Sequence, residues 1–238
     1  MTRERQHASL SRSPRDLPAY SISETSHYLG IPTATIRSWV RGRSYPTGTG
    51  PKRFQPVIDV PDGDSQALSF VNLVEAHVLG AIRREHRIPL HKVRSALRFV
   101  TSSYHAEHPL ANQQFETDGL DLFVEKLGDL INVSQEGQFA IRTLLEAHLR
   151  RIDRDSHGLA VRLYPFTRTG LADEPRIIVI DPLVSFGRPV LVGTGIATSV
   201  IAERYKGGET MDALAGDYGR QRQEIEEAIR CELQLSAA

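Results

Sequence analysis

Thr35, Arg37, Ser38 and Arg41 lie within seven residues of one another, on a stretch whose other residues are mostly apolar. Hydroxyls and guanidiniums are the groups that bond phosphate oxygens and base edges. Ile36 and Val40, four residues apart with Trp39 beside them, form an inward stripe at helical spacing. The polar residues are then left for the outer face. That combination is expected of a helix that enters a DNA groove.

Other residues invite different chemistry and lack its partners. The chain has nine histidines. His105 and His108 form His-x-x-His, with His86 and His91 nearby in sequence. A metal site needs three or four converging ligands, and no second cluster accompanies these, so no metal is expected. Gly193-Thr194-Gly195 lacks the Lys-Ser/Thr of a phosphate loop. Asp181 reads as the cap of the turn before Pro182, with Arg188 paired to it or to backbone carbonyls. Cys231, the single cysteine, has no base beside it and reads as a small buried residue. No cofactor and no enzymatic activity are expected; an enzyme built on the Gly187-Arg188-Pro189 segment is the reading from another class.

The elements that must position the outer face can be read on either side. Ser21 or Ser23 caps a first helix, with Glu24 in its first turn, where a carboxylate suits the positive helix end. Leu29 ends that helix, Gly30 supplies positive φ, and Ile31 buries in the elbow. Pro32 blocks continuation of the helix, and Thr33 is placed to cap the second one. After Arg41, the breakers Gly42, Pro46, Gly48, Gly50, Pro51 and Pro56 predict a short hairpin or wing carrying Lys52 and Arg53. Ser69 to Arg87 then reads as a helix on Val71, Val74, Val78 and Ile82. Pro89 opens another, with Val93, Leu97 and Val100 inward. Arg83, Arg84, Arg87, Lys92, Arg94 and Arg98 form a basic cluster there, either a second phosphate track or ordinary exposed helix faces.

Residues 20–100 in this order resemble the DNA-binding domain of MerR-type regulators. The resemblance implies that Thr33, Thr35, Arg37, Ser38 and Arg41 face the major groove. It also implies that Arg43, Lys52 and Arg53 touch the backbone from the wing. The sequence departs from that family after Val100, where no sustained heptad announces a dimerising coiled coil. The family's metal- or drug-sensing end is therefore not implied.

The back half is mixed. Turn signals stand near Pro109, Asp118-Gly119 and Glu136-Gly137. Leu120, Phe123, Val124 and Leu127 suggest a short helix or strand, and Phe139 to Ile152 a helix. Leu159 to Tyr164 reads as an edge strand, and Ile177 to Ile180 as a buried strand paired with Val190 to Val192. Helices are expected at 199–205, 210–218 and 223–233, an order like another helix-turn-helix. A short echo relates Gly30-Ile31-Pro32-Thr33-Ala34-Thr35-Ile36 to Gly195-Ile196-Ala197-Thr198-Ser199-Val200-Ile201. A strand ending in Asp181-Pro182, then Gly187-Arg188-Pro189, then Gly193-Thr194-Gly195-Ile196, resembles a small domain of unknown function found in bacterial antitoxins.

Together the parts resemble a VapB-type antitoxin of a toxin–antitoxin operon. That resemblance implies a VapC-like toxin, a PIN-type ribonuclease, as the bound and neutralised partner, and repression of the chain's own operon through operator DNA. The charge distribution is compatible. Residues 1–98 hold 15 Lys and Arg against 8 Asp and Glu, and the remainder 14 against 21, within a net charge of zero. A basic front half suits DNA. Glu209, Asp212, Asp217, Glu224 and Glu227 in the acidic back half are the candidates to meet the toxin. The alternative is a stand-alone MerR-like regulator with a ligand-sensing back half.

The expected fold is mainly α with short β. It comprises a tail (1–18), a winged helix-turn-helix (19–100), a helical connector and possible dimerisation region (101–160) and a C-terminal antitoxin domain with a short β-hairpin and three helices (161–238). A two-fold dimer is expected, since one helix-turn-helix gains affinity by pairing half-sites. No run of about 18 apolar residues predicts a membrane span. Residues 1–18 lack the apolar stretch of a secretion signal, and a lone cysteine fits a reducing cytosol, so a cytoplasmic location is expected.

Overall fold

The computed structural model describes residues 13–233 except 47, 49, 62–66, 87, 105–107 and 169–174, and the side chains of 45, 52, 83–86 and 104 are also outside the description. The fold is mainly helical with three short antiparallel strand pairs. Residues 1–12 of the expected tail lie outside the described residues. Residues 13–18 do not behave as a tail: Pro14–Asp16 form a 3-10 turn, and Arg15 Nη1 donates to Asp155 Oδ2 at 2.9 Å.

α1 (Ile22–Leu29) opens with a full capping box. Ser21 Oγ accepts from Glu24 N, and Glu24 Oε2 accepts from Ser21 N. Gly30 ends it at φ 58°, ψ 34°, a left-handed conformation that glycine adopts without a Cβ penalty. Ile31 is buried in the elbow and α2 (Thr33–Arg41) follows. Its N-cap is Pro32, with no side-chain cap. Thr33 is therefore not the cap expected of it, because it already lies inside the helix; its hydroxyl donates to Ser26 Oγ at 3.1 Å.

Gly42 (φ 72°) turns the chain directly into β1 (Arg43–Tyr45), which pairs with β2 (Lys52–Phe54) in the register Arg43↔Phe54, Ser44↔Arg53, Tyr45↔Lys52. This is the expected wing. A Cβ at Gly42 would sit 2.1 Å from the Phe54 carbonyl oxygen, so only glycine lets the hairpin pass so close to the helix end. The return strand is then pinned: the Val57 and Ile58 amides donate to the Trp39 carbonyl at 2.8 and 3.2 Å.

α3 (Phe70–His86) and α4 (Leu90–Tyr104) occupy the expected positions. The segment 101–160 is more structured than a connector. α5 (Leu120–Ile131) packs on α4, and α6 (Gln135–Leu149) packs on α3 and α5. Phe123, Val124 and Leu127 of α5 therefore join one hydrophobic core that runs from Tyr20 to Ile180. α6 begins four residues before the expected Phe139, since Ser134 caps it by accepting from Gly137 N. Phe139 itself is exposed. Ile152 lies beyond that helix in β3 (Ile152–Arg154), which pairs with β4 (Ala160–Leu163).

The C-terminal unit has its own core of Ile178, Leu191, Ile201, Leu214, Ile225 and neighbours. β5 (Ile178–Val179) pairs with β6 (Val190–Leu191), and α7 (Thr198–Lys206), α8 (Met211–Tyr218) and α9 (Arg222–Leu233) follow. α8 and α9 repeat the geometry of α1 and α2. Thr210 caps α8 through Ala213 N, and Gly219 ends it at φ 60°, ψ 36°. Ser21 and Gly30 are separated by the same stretch of chain as Thr210 and Gly219. Ile36 and Ile225, both fully buried, stand at the same offset after those glycines. The repeat thus lies at Gly219 and not at Gly195, because the left-handed glycine, not the local sequence, defines the elbow.

Candidate nucleic-acid interface

Burial of Ile36, Trp39 and Val40 sets the rotation of α2. Arg37 is then exposed, and Thr35, Ser38 and Arg41 are half-buried along the outer side. Ser38 Oγ donates to the Thr35 carbonyl at 2.9 Å. Arg43 and Arg53 are exposed on the wing, and Arg53 Nη2 donates to the Arg41 carbonyl at 3.0 Å. That bond neutralises part of the negative end of α2 and ties wing to helix. Lys52 occupies β2, but its side chain is outside the described residues.

Thr35, Arg37, Ser38 and Arg43 line one open groove with Phe54, Leu90 and His91. The His91 ring lies parallel to Phe54, 6.4 Å between centroids. The groove thus joins α2, the wing and the start of α4. Arg94 and Arg98 lie further along α4 and line a neighbouring cleft with Gln55, Asp59 and Glu75. Arg94 donates to the Gln55 carbonyl, and its guanidinium is held below its ordinary pKa by desolvation and by Arg98. Nothing in the sequence ties His91 to the groove; Pro89, which starts α4 against the wing, brings it there. Arg87 and the side chains of Arg83 and Arg84 are outside the described residues.

Thr33 departs from this group. It lines a separate cleft of ≈ 800 Å³ between α1–α2 and the C-terminal unit, with Glu24, His27, Arg188 and Glu232. Two contacts bridge the halves there. His27 Nε2 lies 3.0 Å from Glu232 Oε2, and the Tyr20 hydroxyl donates to the Gly187 carbonyl at 3.1 Å. Burial raises the Glu232 carboxyl, but hydrogen bonds from His27 and Thr198 outweigh it and hold the group below its usual range.

The acidic candidates are engaged within the protein. Glu209 and Asp217 both bind Arg204, Asp212 binds Arg222, and Glu224 binds Arg220. Glu227 is 1% exposed and accepts from Thr167 and Arg168. It cannot touch a partner, which corrects the expectation of an exposed helix face: helical spacing from Ile225 and Ala228 turns it inward. Burial raises its carboxyl, and the Arg168 and Thr167 hydrogen bonds more than reverse that.

The other expected chemical sites resolve similarly. Asp181 Oδ1 accepts from Leu183 N, as a turn cap does, but its ionic partner is Arg162 at 3.0 Å and not Arg188. Cys231 is buried, which pushes its thiol up to about 12. His108 pairs with Glu75 at 3.2 Å, whereas His105 lies outside the described residues. No described helix is long and apolar enough to cross a membrane.

Residues 18–97 match a family described as "Putative DNA-binding HTH domain", and residues 178–230 match the protein family of unknown function DUF433. A Mycobacterium tuberculosis (strain ATCC 25618 / H37Rv) protein named "Putative antitoxin VapB45" is 31% identical over 232 residues, covering 90% of this chain and 93% of the relative. The uncharacterized protein Rv2308 of the same strain is 27% identical over 223 residues, 90% of each chain. Among solved structures, the X-ray crystal structure of Rv2018 from M. tuberculosis superposes with a TM-score of 0.63 over 90% of this chain and 98% of that one, at 24% identity. The likeness to Rv2018 is one of fold.

Proposed function

The chain belongs to the family of VapB45 and carries a helix-turn-helix DNA-binding domain, and on that premise we propose that it neutralises a VapC-like, PIN-type ribonuclease toxin and represses its own operon. The observation that carries the proposal is the span of the likeness to VapB45, which takes in the DNA-binding front and the C-terminal unit alike. One end holds DNA and the other holds the toxin. Arg37, Thr35, Ser38 and Arg41 are assigned to base edges and nearby phosphates. Arg43, Lys52 and Arg53 are assigned to backbone from the wing, and Arg94 and Arg98 extend that track. Thr33, which lines the cleft shared with Arg188 and donates to Ser26, is left out of the groove assignment. The molecule works as a two-fold dimer in the cytoplasm, pairing two operator half-sites. The helix-turn-helix and wing follow the MerR-like plan, without that plan's long dimerising helix.

The test is a search for a PIN-like protein encoded by a neighbouring gene, co-purification with it, and an RNA-cleavage assay. The mixture is expected to lose ribonuclease activity and to shift the operon's own promoter fragment. A toxin that neither binds nor loses activity defeats the neutralisation reading and leaves the DNA reading intact. The cleft lined by Glu24, His27, Arg188 and Glu232 supports a second reading, a ligand-sensing regulator. Under that reading a small molecule, and no toxin, alters operator affinity.

A further inference from the structure

The turn after β5 holds two large apolar side chains in water. Phe186 is 95% exposed and Leu183 77%. Ser185 (φ 48°) and Phe186 (φ 58°, ψ 31°) are consecutive non-glycine residues in the left-handed region. L side chains avoid that region, and a bulky one there is a genuine outlier. Such strain persists only where surrounding structure imposes it.

Here the imposition is visible at three points. Asp181, at the start of the turn, is held by Arg162 at 3.0 Å. Ser185 Oγ donates to the Gly195 carbonyl at 3.0 Å. Gly187, at the end, lies against Tyr20 so closely that a Cβ would be 2.2 Å from its hydroxyl oxygen. The loop is a rigid mount that presents two apolar side chains outward. Beside it a groove of mixed character runs over the small core of Tyr164, Val179 and Val190, edged by Arg162, Asp181 and Thr194. Leu183 and Phe186 stand outside that core and apart from the nucleic-acid groove.

We propose that Leu183 and Phe186 are the anchors by which this chain docks its protein partner, the toxin of the reading above, on which this inference rests. The occupant is an apolar cleft edged by carboxylates. The charge nearby argues for that chemistry: Arg162, Arg176 and Arg188 are exposed, and while Arg162 and Arg176 pair with Asp181 and Asp153, Arg188 makes no ion pair among the described residues. A second copy of this chain is the alternative occupant, and the cross-linking below separates it from the toxin. Central aromatic anchors of this kind carry a large share of binding energy at interfaces.

The experiment uses the full chain and the PIN-like protein that the co-purification above identifies. Affinity is measured by calorimetry for wild type, Phe186→Asn and Leu183→Asn, alongside promoter binding, sedimentation and Tm. Asparagine accepts the left-handed backbone, so Phe186→Asn is expected to keep or raise Tm while weakening the complex by at least about 30-fold. A purely structural residue would not separate the two readouts in that direction. A photo-crosslinking amino acid at position 186 is expected to label the toxin. Wild-type affinity in both variants overturns the proposal and leaves the antitoxin reading standing. Cross-linking to a second copy, with loss of the dimer in Phe186→Asn, overturns the choice of occupant. Failure of the wild-type chain itself to bind the toxin removes the antitoxin reading, and this docking assignment with it.

Discussion

Arg37 stands exposed on the outer side of α2, so its replacement disturbs no interior packing. Arg37→Ala is expected to weaken operator binding by about 1–3 kcal/mol and to relax specificity at one base pair, as loss of a base contact does. Arg53→Ala should instead weaken all duplexes alike and reduce the salt slope by about one. Anisotropy titrations at several salt concentrations separate the two, and wild-type affinity in Arg37→Ala would refute the groove assignment. Glu227 makes the opposite case. It is buried against Arg168 and Thr167, so Glu227→Ala removes a buried acceptor of their hydrogen bonds and should cost about 1–3 kcal/mol in urea unfolding with little direct effect at a binding surface. Glu227 and Glu232 are both held below the ordinary carboxylate value of 4.5. Their folded pKa values are depressed, so the stability they contribute is present above the unfolded value and is lost as pH falls through the folded ones. The urea midpoint should therefore drop on acidification below about pH 4.5, and Glu232→Gln should flatten that limb.

At the scale of elements, Gly42 and Gly219 make a controlled comparison. Both have positive φ, but a Cβ at Gly42 meets the Phe54 carbonyl at 2.1 Å, whereas at Gly219 it meets nothing within 4 Å. Gly219→Ala should cost only the backbone penalty, about 1–2 kcal/mol. Gly42→Ala should cost more and also prise the wing from α2, so promoter binding falls in a mobility-shift titration. Equal losses in the two variants would show that the wing's close approach is not needed. The sequence made α1, α2, the wing, α3 and α4 legible because capping residues, breakers and apolar spacing act locally. β3 carries no local signal, since Ile152 to Arg154 becomes a strand only by pairing with β4. The start of α6 at Gln135, before the expected Phe139, is not legible because the Ser134 cap is a weaker cue than the apolar run that follows it.

At the scale of the molecule, Tyr20 joins the DNA-binding front to the C-terminal unit: it bridges Leu68 in the front core and donates to Gly187 at the root of the strained loop. Tyr20→Phe removes one hydrogen bond, worth about 0.5–1.5 kcal/mol. If the loop and the helix-turn-helix communicate through this bond, toxin and operator should bind less cooperatively in Tyr20→Phe. Promoter titrations with and without toxin measure this, and an unchanged ratio would assign the bond to stability alone.

The polar outer face of α2 was determined by sequence alone, because Ile36, Trp39 and Val40 can be buried together in only one rotation of that helix. The same local rules placed a serine cap before α1, the glycine elbow and the strands β5 and β6. Tertiary structure decided what depends on residues distant in the chain. It set Thr33 apart in the cleft beside Arg188, brought His91 to the groove, and gave Asp181 to Arg162. It also turned Glu227 inward and left Phe186 outward on a strained turn. Side-chain type and spacing specify which face of an element is buried; only packing specifies which distant group that face meets.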